Sequence, residues 1–297
     1  MTADIDELFP GFSALRIDTG EVAFEGVLGG AGPPVLLLHG YPQTHLTWRH
    51  IAPVLARQFT VIAPDLPGYG ASKTHGSQPR WSKRRVATAL AQLMEQLGFT
   101  RFSVVGHDRG ARAGYRLALD YPGCVERYAS LTVAPTLDAW QAVDMAYGLA
   151  NFHWFFLAQP FDLPERLLAA APDAFILSTL GRMAGGLHNL EPAVVEAYVK
   201  AFRDPNVRHA MCEDYRSAAE EDLDHDAANR AAADQLQCPV LVLWPQSSKS
   251  AQTPLDLWRQ WAPDVRGKAI AGGHLQPEQS PAEVLEQLLP FLKGSGE

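Results

Sequence analysis

The most constraining stretch of the chain is the short strand-like run Phe102–Val105, followed by Gly106-His107-Asp108-Arg109-Gly110 and a helical stretch to Leu119. A strand that turns at once into a helix through G-x-D-x-G is the aspartate version of the G-x-S-x-G nucleophile elbow. The glycines are required because side chains beside so sharp a turn would clash with the adjoining strand and helix. The helix N-terminus behind Asp108 favours negative charge. A carboxylate there is ionised at neutral pH and needs no base before it attacks carbon. It would displace a leaving group and form an ester that water must then hydrolyse. Alone the pattern is weak and also describes an aspartate that merely caps a helix.

The surrounding order of elements supports the elbow. Val35–Leu38 and Thr60–Ala63 read as buried strands, the second ending in the turn-rich Asp65-Leu66-Pro67-Gly68-Tyr69-Gly70. Lys83–Leu97 has helical spacing, with Gly98 where a C-terminal cap belongs. Ala129–Val133 and Val240–Trp244 read as further strands, and Ala282–Leu292 as a final helix. Strands alternating with helices predict an α/β architecture, a mostly parallel sheet with helices on both faces. From 138 to 233 strand-like runs give way to aromatic, helix-forming segments broken by prolines. The predicted organisation is a core (1–137), an inserted helical cap (138–233) and the rest of the core (234–297).

Two more motifs take places that elbow hydrolases use. His39-Gly40-Tyr41-Pro42 follows the first apolar strand, so the Tyr41 and Arg109 backbone N–H groups are candidates for an oxyanion hole. Gly273-His274 precedes the final helix, where the base comes last in chain order.

The net charge of −8 argues against a nucleic-acid or polybasic membrane partner. An acidic protein with an anionic substrate must gather positive charge locally, so an inward-facing arginine pair is worth finding. The three cysteines have no metal-like spacing, and no apolar run reaches bilayer length. A reduced, cytoplasmic setting is the simplest expectation. No metal ion or cofactor is called for.

On these motifs the chain resembles the haloacetate dehalogenases, in particular the fluoroacetate dehalogenases, of the α/β-hydrolase superfamily. The resemblance runs from Leu8-Phe9-Pro10-Gly11-Phe12 through HGYPQTH, DLPGYG and GHDRGAR. It continues into the cap at HWFFLAQP and MCEDYR, and on to TPLDLWRQWAPDVRG. It implies the α/β-hydrolase fold with a helical cap, a small halogenated carboxylate as substrate and a homodimer. Arg109 and Arg112 stand beside the nucleophile and can clamp a carboxylate through charge-assisted hydrogen bonds. Alternatively, Arg112 pairs with a surface acid. By resemblance, His153, Trp154 and Tyr215 form the halide pocket; each can offer an N–H or O–H to a departing anion.

The chain departs from the family at one point. The acid that would orient His274 is expected in a Leu-Asp-x-x-Pro-Thr segment, but the sequence reads Leu131-Thr132-Val133-Ala134-Pro135-Thr136. The alternative place, Pro245-Gln246-Ser247-Ser248-Lys249-Ser250, also lacks a carboxylate, and Asp138 is the acid nearest Thr132 in sequence. Displacement by Asp108 does not need that acid, whereas ester hydrolysis through His274 does. Two other functions stay open. An epoxide hydrolase would need a second cap tyrosine beside Tyr215, with Tyr147 and Tyr198 as candidates. A slow or non-catalytic carboxylate-binding protein is the other.

Overall fold

The computed structural model describes residues 5–76, 78, 80–246 and 253–294. Its strands are β1 (Phe12–Asp18), β2 (Val22–Gly29), β3 (Pro34–Leu38), β4 (Thr60–Pro64), β5 (Lys73–Thr74), β6 (Phe102–His107), β7 (Val125–Leu131), β8 (Val240–Pro245) and β9 (Val265–Ile270). They form one sheet in the order β1-β2-β4-β3-β6-β7-β8-β9, with β5 on β2. The strands from β4 to β9 along this path run parallel, and β1 and β2 join antiparallel.

Strands β3 and β6 are buried on both faces, which explains their unbroken runs in the sequence. Alternate residues serve opposite cores: Leu36, Leu38 and Val104 pack into one, and Val35, Leu37 and Val105 into the other. β1 is covered less completely, so it mixes apolar with polar residues, as does β2 in part. Both escaped a reading based on apolar runs.

The chain goes from β3 outward to β4 and then crosses back over β3 to β6. Direction along the sheet therefore reverses between β3 and β6. In open α/β sheets, a crevice at the carboxyl ends of such a strand pair is the usual ligand site. The His39-Gly40-Tyr41 loop leaves β3 there, and Asp108 leaves β6.

Helix α1 (Lys83–Gln96) starts where the Ser82 side chain accepts from the Arg85 N–H, and it buries Val86, Leu90 and Leu93. Gly98 follows in the left-handed region, as expected of a residue that ends a helix. Helix α2 (Arg109–Asp120) follows the elbow. Between β7 and β8 the chain is helical from Thr136 to Ala232. The segments that bear on the site are α3 (Phe152–Leu157), α4 (Pro172–Ala184), α5 (Pro192–Phe202) and α6 (Pro205–Ala219). Helix α7 (Pro281–Lys293) packs Val284, Leu288 and Phe291 into the second core.

One boundary differs from expectation in a way that matters. β7 ends at Leu131, not Val133, because Thr132 turns to φ +74. Its N–H still donates to the Leu243 carbonyl (2.8 Å), so Thr132 sits at the strand's mouth but out of the strand conformation. Among the described residues, no single helix is long and apolar enough to cross a membrane.

Candidate active site

Asp108 occupies the turn between β6 and α2 with φ +50 and ψ −117. This conformation is strained for a residue with a Cβ. A Cβ on Gly106 would collide with the backbone of Ala111, one on Gly110 with the carbonyls of Leu38 and His39, and one on Gly40 with Asp108 itself. The three glycines therefore let two loops close on one carboxylate. The Asp108 side chain makes no capping bond to its own helix. Instead the Tyr41 N–H donates to Oδ1 at 2.8 Å. The carboxylate thus faces the crevice, and the helix-cap alternative lacks its defining bond.

His274 Nε2 lies 3.4 Å from Asp108 Oδ2. Burial alone would raise the Asp108 pKa, but His274, His107 and Arg109 outweigh it and hold the carboxyl well below its usual range. The Asp108 carboxyl is therefore ionised at neutral pH. His107, the buried residue before Asp108, donates from Nε2 to the His274 carbonyl at 2.8 Å and so ties down the loop that carries His274. Burial, then the neighbouring His274, pushes its pKa down to about 4, so the ring stays neutral.

The two arginines have different surroundings. Arg109 is fully buried and bound to Asp214. Its Nε donates to Oδ2 (3.0 Å), and its Nη2 donates to Oδ1 and to the Asp214 carbonyl (2.8 Å). Lys83 also pairs with Asp214, and the Tyr69 hydroxyl donates to it at 2.8 Å. Only Arg109 Nη1 is left without a partner. Arg112, 2 % exposed, has no carboxylate partner among the described residues. Its Nη1 donates to the Thr136 hydroxyl (3.1 Å), its Cζ lies 4.8 Å from the Trp154 ring centroid, and its Nε is unpartnered. The surface-pairing alternative for Arg112 thus gives way to a buried guanidinium without an ion pair among the described residues. Asp214 could have been suspected from its place beside Tyr215, but nothing in the sequence pairs it with Arg109.

The cap covers this chemistry with aromatic rings. His153 stacks on Tyr41 (centroids 5.6 Å) and meets Tyr215 edge-on (5.6 Å), while Trp154 lies 6.0 Å from Tyr215. The buried Tyr215 hydroxyl has no partner, and burial raises its pKa well above the usual value, so it stays protonated. Tyr147 meets Trp154 edge-on at 5.7 Å, and burial pushes its pKa up to about 12. Tyr198 stands elsewhere: its hydroxyl donates to Glu278 at 2.7 Å, in a buried network with Gln43 and Arg49.

Among the described residues, no carboxylate other than Asp108 pairs with the His274 ring. His274 Nδ1 has no hydrogen-bond partner among the described residues. Thr132 donates its hydroxyl to the Leu131 carbonyl (2.7 Å). Asp138 is fully occupied by Arg230 (3.0 Å) and the Trp261 indole N–H (2.6 Å). Of the alternative acid segment, Gln246 is described, its N–H donating to Ile270 (2.9 Å); residues 247–250 lie outside the described residues. Among the described residues, Glu165, His209 and Glu213 could converge on a cation, but Arg216 already pairs with both carboxylates (2.7 and 2.6 Å).

Residues 33–281 match the family model described as alpha/beta hydrolase fold. The chain is 39% identical over 294 residues to fluoroacetate dehalogenase from Burkholderia sp, covering 96% of this chain and 95% of that protein. It is 31% identical to soluble epoxide hydrolase from Corynebacterium sp. (strain C12), covering 89% and 92%. Among solved structures it is similar to a putative epoxide hydrolase from Pseudomonas aeruginosa, with 51% identity, a TM-score of 0.94 and 97% of each chain covered. A threonine-to-aspartate mutant of that protein was solved with bound MFA, and a glutamine-to-glutamate mutant has also been solved.

Proposed function

This chain belongs to the α/β-hydrolase fold family as a relative of fluoroacetate dehalogenase, and from that premise we propose that it hydrolyses a short 2-haloacid to the 2-hydroxyacid and halide. The observation that carries the reading is Arg112, a buried cation with no carboxylate partner among the described residues, one helical turn from an ionised Asp108. Burying a lone charge costs several kcal/mol or more unless a partner compensates it. A substrate carboxylate supplies that partner, with Arg109 Nη1 as a second donor.

In the proposed reaction an Asp108 oxygen attacks C2 of the substrate and the carbon–halogen electron pair leaves with the halide. His153, Trp154 and the protonated Tyr215 hydroxyl surround the departing ion. Such donors act most strongly where water is excluded. His274 then takes a proton from water. The hydroxide adds to the Asp108 ester carbonyl, and the C–O bond of the tetrahedral adduct then breaks. His274 returns its proton to the departing alkoxide to give the 2-hydroxyacid. The new carboxylic acid loses its proton to solvent, leaving Asp108 a free carboxylate. Without an acid on His274 Nδ1 this second step is the slow one.

A second reading, epoxide opening, is favoured by Tyr147 and Tyr215 standing over the same Trp154 ring. The assay that separates the two measures halide released from fluoroacetate and chloroacetate against diol formed from a neutral epoxide. Halide release with no diol supports dehalogenation. The opposite result overturns it.

A further inference from the structure

Arg182 lies in the last turn of α4, on the cap. The residue is exposed overall, yet its guanidinium reaches inward. Nη2 donates to His153 Nδ1 at 3.2 Å, and Cζ sits 5.0 Å from the Phe152 ring centroid. A guanidinium carries only donors and does not deprotonate in proteins. His153 Nδ1 must therefore be the acceptor, without a proton of its own. A neutral imidazole has a single N–H, so that proton resides on Nε2. Burial first, and then the Arg182 charge, push the His153 pKa down to about 3, which keeps the ring neutral. Nε2 has no hydrogen-bond partner among the described residues, and the ring packs against the rings of Tyr41 and Tyr215, whose own hydroxyl is unpartnered.

We propose that Arg182 is a positioning residue for halide departure: it fixes the His153 tautomer, so that the ring offers Nε2–H to the leaving ion. The proposal rests on the dehalogenation reading above. In the other tautomer Nε2 would present a lone pair to an anion and repel it. The demand for the donor is greatest for fluoride, whose carbon bond is strong and whose ion is strongly hydrated, and least for bromide.

The test compares wild type with Arg182→Met, which removes the donor, and Arg182→Lys, which can only donate. Two-bond proton–nitrogen spectra of histidine-labelled protein, assigned through His153→Gln, read the tautomer directly. Wild type and Arg182→Lys should show Nε2–H, and Arg182→Met a mixture of tautomers. Single-turnover fluoride release should slow at least about 10-fold in Arg182→Met, toward the roughly 10²-fold cost of a lost anion-stabilising donor, and recover at least in part in Arg182→Lys. Bromide release from bromoacetate should change by less than about 3-fold on the same argument. A purely structural role would slow both halides equally, and that result, or a tautomer unchanged in Arg182→Met, overturns the proposal. Wild type releasing no halide from either substrate would overturn the halide role together with the dehalogenation reading. The spectra would still decide separately whether Arg182 sets the tautomer.

Discussion

Replacing Arg112 with methionine should separate binding from folding. In the free protein the Arg112 charge is buried and has no ion pair among the described residues, so its removal relieves a desolvation cost; even paired buried ions can often be replaced by apolar groups with a neutral or stabilising outcome of about 1–4 kcal/mol. Against this stand the bond to Thr136, worth about 1 kcal/mol, and the contact with Trp154, worth roughly 0.5–2 kcal/mol. Thr136 keeps a second partner, since the Tyr115 hydroxyl donates to it at 2.8 Å. The net change in stability should therefore be within about 1–2 kcal/mol of zero. Turnover should respond very differently. Two hydrogen bonds to a charged group, at about 1.5–3 kcal/mol each, convert to a loss of roughly 10²–10⁴-fold in kcat/KM for chloroacetate. Chloroacetamide, which has no charge to clamp, should lose much less. Chloride release for both substrates and urea unfolding of both proteins are the measurements. Destabilisation beyond about 3 kcal/mol, or equal losses for the two substrates, would refute the reasoning.

Thr132→Asp should both relax the backbone, since aspartate tolerates the left-handed region better than a β-branched residue, and supply the acid that His274 lacks. A halide burst followed by slow turnover in wild type should become a faster linear course, by up to roughly 10⁴-fold; an unchanged time course refutes the assignment of the slow step. Asp214→Asn leaves Arg109 and Lys83 without their shared counterion and should cost about 3–5 kcal/mol in urea unfolding, and a loss under about 1 kcal/mol would contradict its anchoring role. His153 also predicts a pH dependence. Its folded pKa is lowered from the ordinary 6.5 to about 3, so between those values the unfolded chain binds a proton that the folded protein does not. Its contribution to stability is present in full above 6.5 and declines as pH falls toward 3. His153→Gln should flatten that decline, and an unaltered slope between pH 6.5 and 4 would show that the ring is not held neutral.

The parts of the site legible in the sequence are those fixed by local geometry. The elbow around Asp108 needs glycines at set distances, and the loop at Tyr41 and the late His274 follow from chain order. Relations across the cap were not legible. Asp214 and Arg109 are 105 residues apart, and their ion pair exists only because the cap brings Asp214 of α6 to the first residue of α2. The apparent arginine pair therefore divides into one anchored and one available cation. The Arg182–His153 bond joins two cap helices in the same way. β1 and β2 were missed because their incomplete burial leaves no apolar run to read.

The most direct test of the account is the mass of the peptide that contains Asp108. Wild type mixed with chloroacetate and quenched with acid within the first turnovers should yield that peptide heavier by a carboxymethyl group, with the modification on Asp108 and with one chloride released per adduct. Steady chloride release with an unmodified Asp108 peptide, or an adduct on any other residue, would contradict it.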